Sequence, residues 1–374
     1  MQVVRPARQS VRVLAAVSPS VTVQSNSSLG ATRGAAGAAA ILKRDQSMKE
    51  SMVDAPPATL CRDEAPDSMM KRMERMVRET QDKVCAAIED IDGCKFRTDA
   101  FVRPGGGGGI TKVMQGGRVW EKAGVAVSVV YGTMPADSYR KVMGNKDVVV
   151  NKGDRVPFAT VGVSSVMHPL NPHCPTMHFN YRYFTTEAYN GIPAQWWFGG
   201  GTDITPNYVD EEDMRHFHGV YKAVCDRHDP EYFPKFKKWC DEYFFIKHRG
   251  ETRGLGGIFY DDLNDRDQEQ IFAFAKDCAD NITEAYCPII RKHMHDMYLP
   301  QQKEWQQIRR GRYAEFNLIY DRGTIFGLRT GAGRTESMLM SLPLTASWRY
   351  DYHPKPETPE AEFIDAARNP RNWV

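Results

Sequence analysis

A chain of 374 residues that is 41% hydrophobic can bury a large core, yet none of its apolar runs approaches the ~20 residues that a membrane-spanning helix needs. The first 44 residues carry six basic side chains (Arg5, Arg8, Arg12, Arg33, Lys43, Arg44) and no acid. Setting those aside leaves 43 basic against 47 acidic residues, a balance near −4 that excludes a broad basic surface for nucleic acid.

The acid-free, Ser- and Ala-rich start has the composition of an organellar import signal, and residues 1–50 are read as a transit peptide or disordered leader. Pro56, Pro57 and Pro66 among small and acidic residues mark 51–67 as a linker, with order beginning near Ser68. From there MMKRMERMVRETQDKVCAAIEDID places Met69, Met73, Met76, Val77, Val84 and Ile88 on one face of a long amphipathic helix, a core stripe. The pentaglycine Gly105 to Gly109 lacks the Gly-Lys-Ser/Thr of a phosphate loop and reads instead as a loop entering a β-hairpin turned at Gly116-Gly117. Val125, Val127, Val129 and Tyr131 then alternate as a strand does.

The stretch VMHPLNPHCPTMHFNYRYF, residues 166–184, divides in two. Pro169, Pro172 and Pro175 deny helical spacing to His168 and His173, so an extended or turned backbone must place them. In MHFNYRYF, by contrast, His178, Asn180 and Arg182 alternate with Met177, Phe179, Tyr181 and Tyr183, which gives a strand one polar face. An acid/base, an amide and a fixed guanidinium side by side suit an anionic substrate, although an ordinary solvent-facing strand has the same pattern. WWFGGGTDITP follows, with Trp196, Trp197 and Phe198 before three glycines and Asp203; it reads equally as the wall of a ligand site or as a tight turn under packed aromatics.

Helices are expected at DEEDMRHFHGVYKAVCDRHD, which turns His218 inward and His216 outward, and at PKFKKWCDEYFFIKH, where the series Phe236, Cys240, Phe244, His248 puts His248 on the buried side. A further helix covers the acid-rich segment from Asp265 to Tyr298. GGIFYDD reads as a strand, and RYAEFNLIYDRGTIFGLRTG as a hairpin through Asp321-Arg322-Gly323. Arg249, Arg253, Arg312, Arg322 and Arg334 recur in turn-like contexts, a pattern that fits clamps for carboxylates or phosphates. Eight scattered cysteines without a C-x-x-C read as reduced thiols, and the missing C-x3-C-x2-C run argues against an iron–sulfur radical enzyme. Runs of strands with inserted helices, rather than strict alternation, predict an α+β domain built on an antiparallel sheet.

Four blocks together, HPLNPHCPTMHFNYRYF, WWFGGGTD, KWCDEYFFIKHRGETRGLGGIFYDD and GRYAEFNLIYDRGTIFGL, resemble oxygen-dependent coproporphyrinogen III oxidase, particularly its chloroplast forms. The similarity runs from about residue 68 to Val374. It implies a single catalytic domain, 68–374, with a large flat antiparallel sheet flanked on both faces by helices, and a homodimer with its dimerisation segment at 313–339. It also implies aerobic decarboxylation of two propionates of coproporphyrinogen III to vinyls, with O2 as co-substrate and no flavin, haem or nicotinamide. Carried over by motif, His178 is the proton donor and Asp203 the carboxylate that meets the pyrrole N–H groups. Ser164, Asn180, Tyr181, Arg182, Ala332, Gly333 and Arg334 contact substrate, and Asp321 and Arg322 organise the cleft. No metal is expected; if one binds, its ligands are His168, His218 and His248. Two departures stand out: Arg349 in SWRYDY, where the family carries an acid, and Tyr260 in place of a common Phe. The implied location is the chloroplast stroma, with the mitochondrion as the alternative. A His-ligated metal-dependent oxygenase or hydrolase and a non-catalytic tetrapyrrole carrier are the competing readings.

Overall fold

Side chains on successive strand residues point to opposite faces, and in this protein the two faces carry different chemistry. The computed structural model describes residues 51–62, 64–135, 155–189, 193–330 and 334–374. Along the chain these form β1 (Ser51–Val53), α1 (Met69–Asp92), β2 (Arg97–Val102), β3 (Gly108–Gln115), β4 (Trp120–Pro135), β5 (Arg155–Pro169), β6 (Thr176–Thr186) and β7 (Trp196–Thr205). Then come α2 (Glu211–His228), α3 (Tyr232–Tyr243), β8 (Phe245–Ile246), β9 (Glu251–Thr252) and β10 (Gly257–Leu263). The C-terminal part adds α4 (Gln268–Asp280), α5 (Ile282–His293), α6 (Pro300–Ile319), α7 (Arg322–Thr330), α8 (Thr335–Leu339) and α9 (Pro359–Arg368). An eight-stranded sheet of order β1-β2-β3-β4-β5-β6-β7-β10 is antiparallel at every pairing, the expected α+β architecture.

One face presents Val125, Val127, Val129, Val161, Val163, Phe179, Tyr181, Phe198 and Ile258, all buried against helices that include α1, α2 and α4. α1 contributes the predicted Met and Val stripe, capped by Ser68 at its start and by Gly93 at its end. Its Gln81 spans two strands, donating to the Ile110 and Val125 carbonyls at 2.9 and 2.8 Å. Acids in the first turn of α2 (Glu211, Glu212, Asp213) oppose the positive end of its dipole, as the sequence suggests.

The opposite face is floored by small residues. In register across the central strands lie Thr111, Ala126, Ser164, Asn180 and Gly201, and one row along lie Gly124, Val166, His178 and Asp203. α6 crosses this face at one end, with Tyr313 edge-on to His168 at 5.0 Å. α8 lies near another, tied by Ser337 to Thr111 at 2.8 Å and by Lys122, whose ammonium donates to the Leu339 and Leu342 carbonyls.

Four elements differ from the sequence reading. Residues 51–53 pair with β2, and Leu60 and Cys61 are buried, because Glu74 of α1 accepts from their amides at 2.7 and 3.4 Å; order therefore precedes Ser68. The long acid-rich helix breaks at Asn281 into α4 and α5. The helix through His248 stops at Tyr243, since Phe245 and Ile246 turn back to pair with Thr252 and Glu251; His248 is thus exposed instead of buried. The segment read as a hairpin through Asp321 is two helices, α6 and α7. Its β-forming residues Tyr313, Phe316 and Tyr320 recur every three or four positions, and Asp321 caps α7 by accepting from the Thr324 amide at 2.7 Å.

Close strand approach at the β7/β10 edge gives a direct test. A Cβ at Gly201 would lie 2.3 Å from the Ile258 carbonyl oxygen, whereas one at Gly219 in α2 meets only Val374, at 3.9 Å. Gly201→Ala is expected to lower stability by about 1–3 kcal/mol or more, and Gly219→Ala to raise it by up to about 1 kcal/mol. Paired urea melts read both.

Candidate active site

Antiparallel register sets His178 of β6 directly opposite Asp203 of β7, and His178 Nδ1 lies 2.6 Å from Asp203 Oδ1. Arg253, in the turn between β9 and β10, donates to the other carboxylate oxygen, also at 2.6 Å. Its guanidinium is buried among three rings, with Phe244 at 4.1 Å, Tyr313 at 4.3 Å and Phe316 at 5.0 Å, and its second amino group donates to Asn317 at 3.2 Å. Burial alone would push the Asp203 carboxyl up; the Arg253 charge, then His178, hold it below its ordinary value. An ionised Asp203 accepts from Nδ1–H, which fixes the imidazole tautomer and turns Nε2 away from Asp203.

A second cluster lies four residues along the same strand face. Arg182 has glycine opposite it on both neighbouring strands, Gly162 and Gly199, and its guanidinium lies so close over Gly199 that a Cβ there would be 2.9 Å from Cζ. Flattened in this way, Arg182 reaches Asp261 of β10 at 2.6 Å and donates to the Asn180 amide oxygen at 2.9 Å. That bond orients Asn180, leaving its NH2 group to face an acceptor. Arg322 approaches the other Asp261 oxygen at 3.6 Å and lies over the Tyr243 ring, while the Tyr243 hydroxyl donates to Asp321 at 3.1 Å. Of the three aromatics in WWF, Trp197 shares this face, stacked on Phe184 at 4.2 Å, whereas Phe198 is buried on the opposite side.

The expected site residues are thus partly assembled. His178, Asp203, Asn180, Arg182 and Ser164 share one face, and Asp321 and Arg322 border it. Arg334, at the start of α8, is ion-paired with Asp99 of β2. Ala332 and Gly333 lie outside the described residues. Tyr181 does not join the group: one position from Arg182, its side chain points to the helix-packed face, fully buried and bonded to Thr202 at 2.6 Å. Asp203, expected to meet pyrrole N–H groups, has both oxygens engaged by His178 and Arg253 and is 4% exposed.

The three histidines of the suggested metal site do not converge. His168 donates from Nε2 to the Ser341 carbonyl at 2.9 Å, and His218 to that of Leu255 at 3.1 Å. Burial drives both imidazoles towards the neutral form, His218 down to about 3. His248 bonds Glu315 at 2.6 Å and Tyr320 at 2.7 Å. Among the described residues, the donor group close enough to share a cation is Asp210, Asp213 and His293, and the Lys292 ammonium already bonds both aspartates there.

The sequence names Arg253 as one carboxylate clamp among five without its partner, and gives no sign of Asp99 or Asp261, because the partners lie 50 or more residues away in the chain or on another strand. Arg249 and Arg312 clamp Glu315 instead of a ligand, and Arg349 pairs with Glu304.

A match to the family model of coproporphyrinogen III oxidase spans residues 72–373. The chain belongs to the coproporphyrinogen III oxidase family. It is 57% identical over 311 residues to the chloroplastic oxygen-dependent coproporphyrinogen-III oxidase of Glycine max, covering 82% of this chain and 80% of that protein. The mitochondrial enzyme of that description from Mus musculus is 53% identical over 83% of this chain and 70% of its own length, and that of Homo sapiens 52% over 83% and 68%. The His178–Asp203–Arg253 line and the Arg182–Asp261 cluster lie four residues apart along one strand of this family member.

Glu315 supplies a pH test. Burial would raise its carboxyl, but Arg249, His248 and Arg312 lower it from 4.5 to about 2. A depressed folded value stabilises fully above the unfolded value and is lost as pH falls through the folded one. Urea midpoints should fall in Glu315→Gln at pH 7, and the gap to wild type should close as pH drops from 4.5 towards 2; a constant gap overturns the assignment.

Proposed function

We propose that this protein is an oxygen-dependent coproporphyrinogen III oxidase that converts two propionates of its substrate to vinyl groups, giving protoporphyrinogen IX in haem and chlorophyll synthesis. The observation that carries the reading is an imidazole held by a buried aspartate–arginine pair on a glycine-floored sheet face, with a flattened arginine four residues away. A flat tetrapyrrole needs such a floor, and its carboxylates need such arginines.

Each step turns –CH2–CH2–COO⁻ into –CH=CH2 and CO2. The side chain gives up two electrons and one proton, and O2 takes two electrons and two protons to become H2O2, so one further proton is consumed per vinyl. His178 supplies that proton from Nε2. Asp203 stabilises the imidazolium through Nδ1, so that Nε2 holds a proton ready for the oxygen being reduced, while the electron-rich pyrrole itself carries the charge that develops as its side chain is oxidised. Arg182, with Asn180, Ser164, Ala332, Gly333 and Arg334, holds the carboxylates, and Asp321 and Arg322 shape the rim. Tyr181 contributes at most its backbone. No flavin, haem, nicotinamide or metal takes part. The acid-free leader directs the chain to the chloroplast stroma.

We further propose a homodimer through 313–339, where Leu318, Ile319 and Leu328 stand exposed on α6 and α7. If that segment joins copies while its inner side carries Tyr313 and Phe316, specific activity should track dimer fraction on dilution, and activity independent of it counts against the interface.

The decisive experiment is anaerobic and aerobic incubation with coproporphyrinogen III. Wild type should form product only with O2, and His178→Ala should lose about 10²–10⁴-fold in kcat. Asp203→Ala should show a comparable loss with a shifted pH profile. Product without O2 excludes the reading. Activity abolished by chelation and restored by one metal supports a metal oxygenase, and binding without O2 uptake supports a carrier.

A further inference from the structure

Arg334 is expected to clamp a substrate carboxylate, yet in the substrate-free protein it already holds one. Its guanidinium is paired with Asp99, and both side chains are about one-fifth exposed, 21% and 22%. Asp99 lies in the same cross-strand row as Thr111, Ala126, Ser164 and Asn180, so it faces the site. Four interstrand steps of about 4.8 Å put Asp99 roughly 19 Å from Asn180. Nothing bulkier than threonine stands in the row between them.

The rest of α8 is held without this pair, by Ser337 on Thr111 and by the Lys122 ammonium on two carbonyls. Both side chains keep about one-fifth of their surface in water, so solvent can take up either charge as the pair separates. The fork geometry of a guanidinium accepts any carboxylate in place of another. Arg334 can therefore change partners at small cost while its helix stays where it is.

We propose that Asp99 is an exchangeable counter-ion for Arg334: a carboxylate on the far side of the bound tetrapyrrole from Arg182 displaces Asp99 and takes its place on the guanidinium. Asp99 is then a specificity-determining residue, competing with the substrate for the arginine that receives it. The inference rests on the reading of the protein as a tetrapyrrole oxidase.

The test is a cycle on the full chain, with KM for coproporphyrinogen and the equilibrium Kd for coproporphyrin, the oxidised and unreactive tetracarboxylate, read by tryptophan quenching. Freeing Arg334 with Asp99→Asn should lower KM and Kd about 3–10-fold, with the effect on KM exceeding that on kcat. Arg334→Gln should raise both about tenfold or more. In the double variant the Asp99→Asn gain should vanish. A weaker-binding Asp99→Asn variant that retains its wild-type melting temperature, or the same gain with and without Arg334, overturns the exchange. Asp99→Ala answers the question if the Asn variant does not fold. Wild-type turnover is measured first, so loss of the parent reading shows as no O2-dependent product, and loss of this inference as a normal enzyme with the wrong cycle.

Discussion

Asp203 sits on an interior strand almost out of reach of water, and it keeps its charge because Arg253 lies against it. Removing one member of a buried ion pair leaves the other stranded, at a cost of about 3–5 kcal/mol. The arginine is itself desolvated, and its compensation comes from three aromatic faces and the Asn317 amide. Those groups are supplied by the end of α3 and by α6, so one electrostatic requirement in the sheet fixes where two outer elements must dock. His178 inherits its tautomer and its orientation from that arrangement.

The two-faced sheet follows from the same economy of positions. Valines and aromatics at alternate positions bury one side under helices, which supplies the hydrophobic stabilisation. The other side packs against α6 and α8 towards its ends, and small residues can stay between those contacts. Glycine at 162 and 199 is what allows Arg182 to lie along the sheet and meet Asp261 instead of standing upright into the space above it.

Local periodicity made the site strand legible. The alternation in MHFNYRYF separates His178, Asn180 and Arg182 from their buried neighbours, and α1 follows from its Met spacing. It also shows why Tyr181 parts company with a motif that names it as a contact. Residue type points the wrong way at 313–328: its Tyr, Phe and Ile content favours strands, although Tyr313, Phe316 and Tyr320 fall at helical intervals. Helical spacing misplaces His248 because nothing short-range shows that Phe245 and Ile246 leave the helix to pair with β9. Arg253 is legible as a carboxylate clamp but its partner is not, and Asp261 and Asp99 are invisible for the same deeper reason, since each acquires meaning only from a partner brought together by tertiary folding.

Chain order has a consequence of its own during synthesis. The first seven sheet strands leave the ribosome as sequential neighbours, and Asp203 emerges with them, 50 residues before Arg253. At a translation rate of about 5–20 residues per second that gap lasts roughly 3–10 s, and the rings that sandwich the arginine arrive later still, with α6. Until then Asp203 must remain hydrated at an open sheet edge. The nascent enzyme thus carries a wet, unfinished acid in the middle of its future site, and the closing of that site is timed by translation of the C-terminal third.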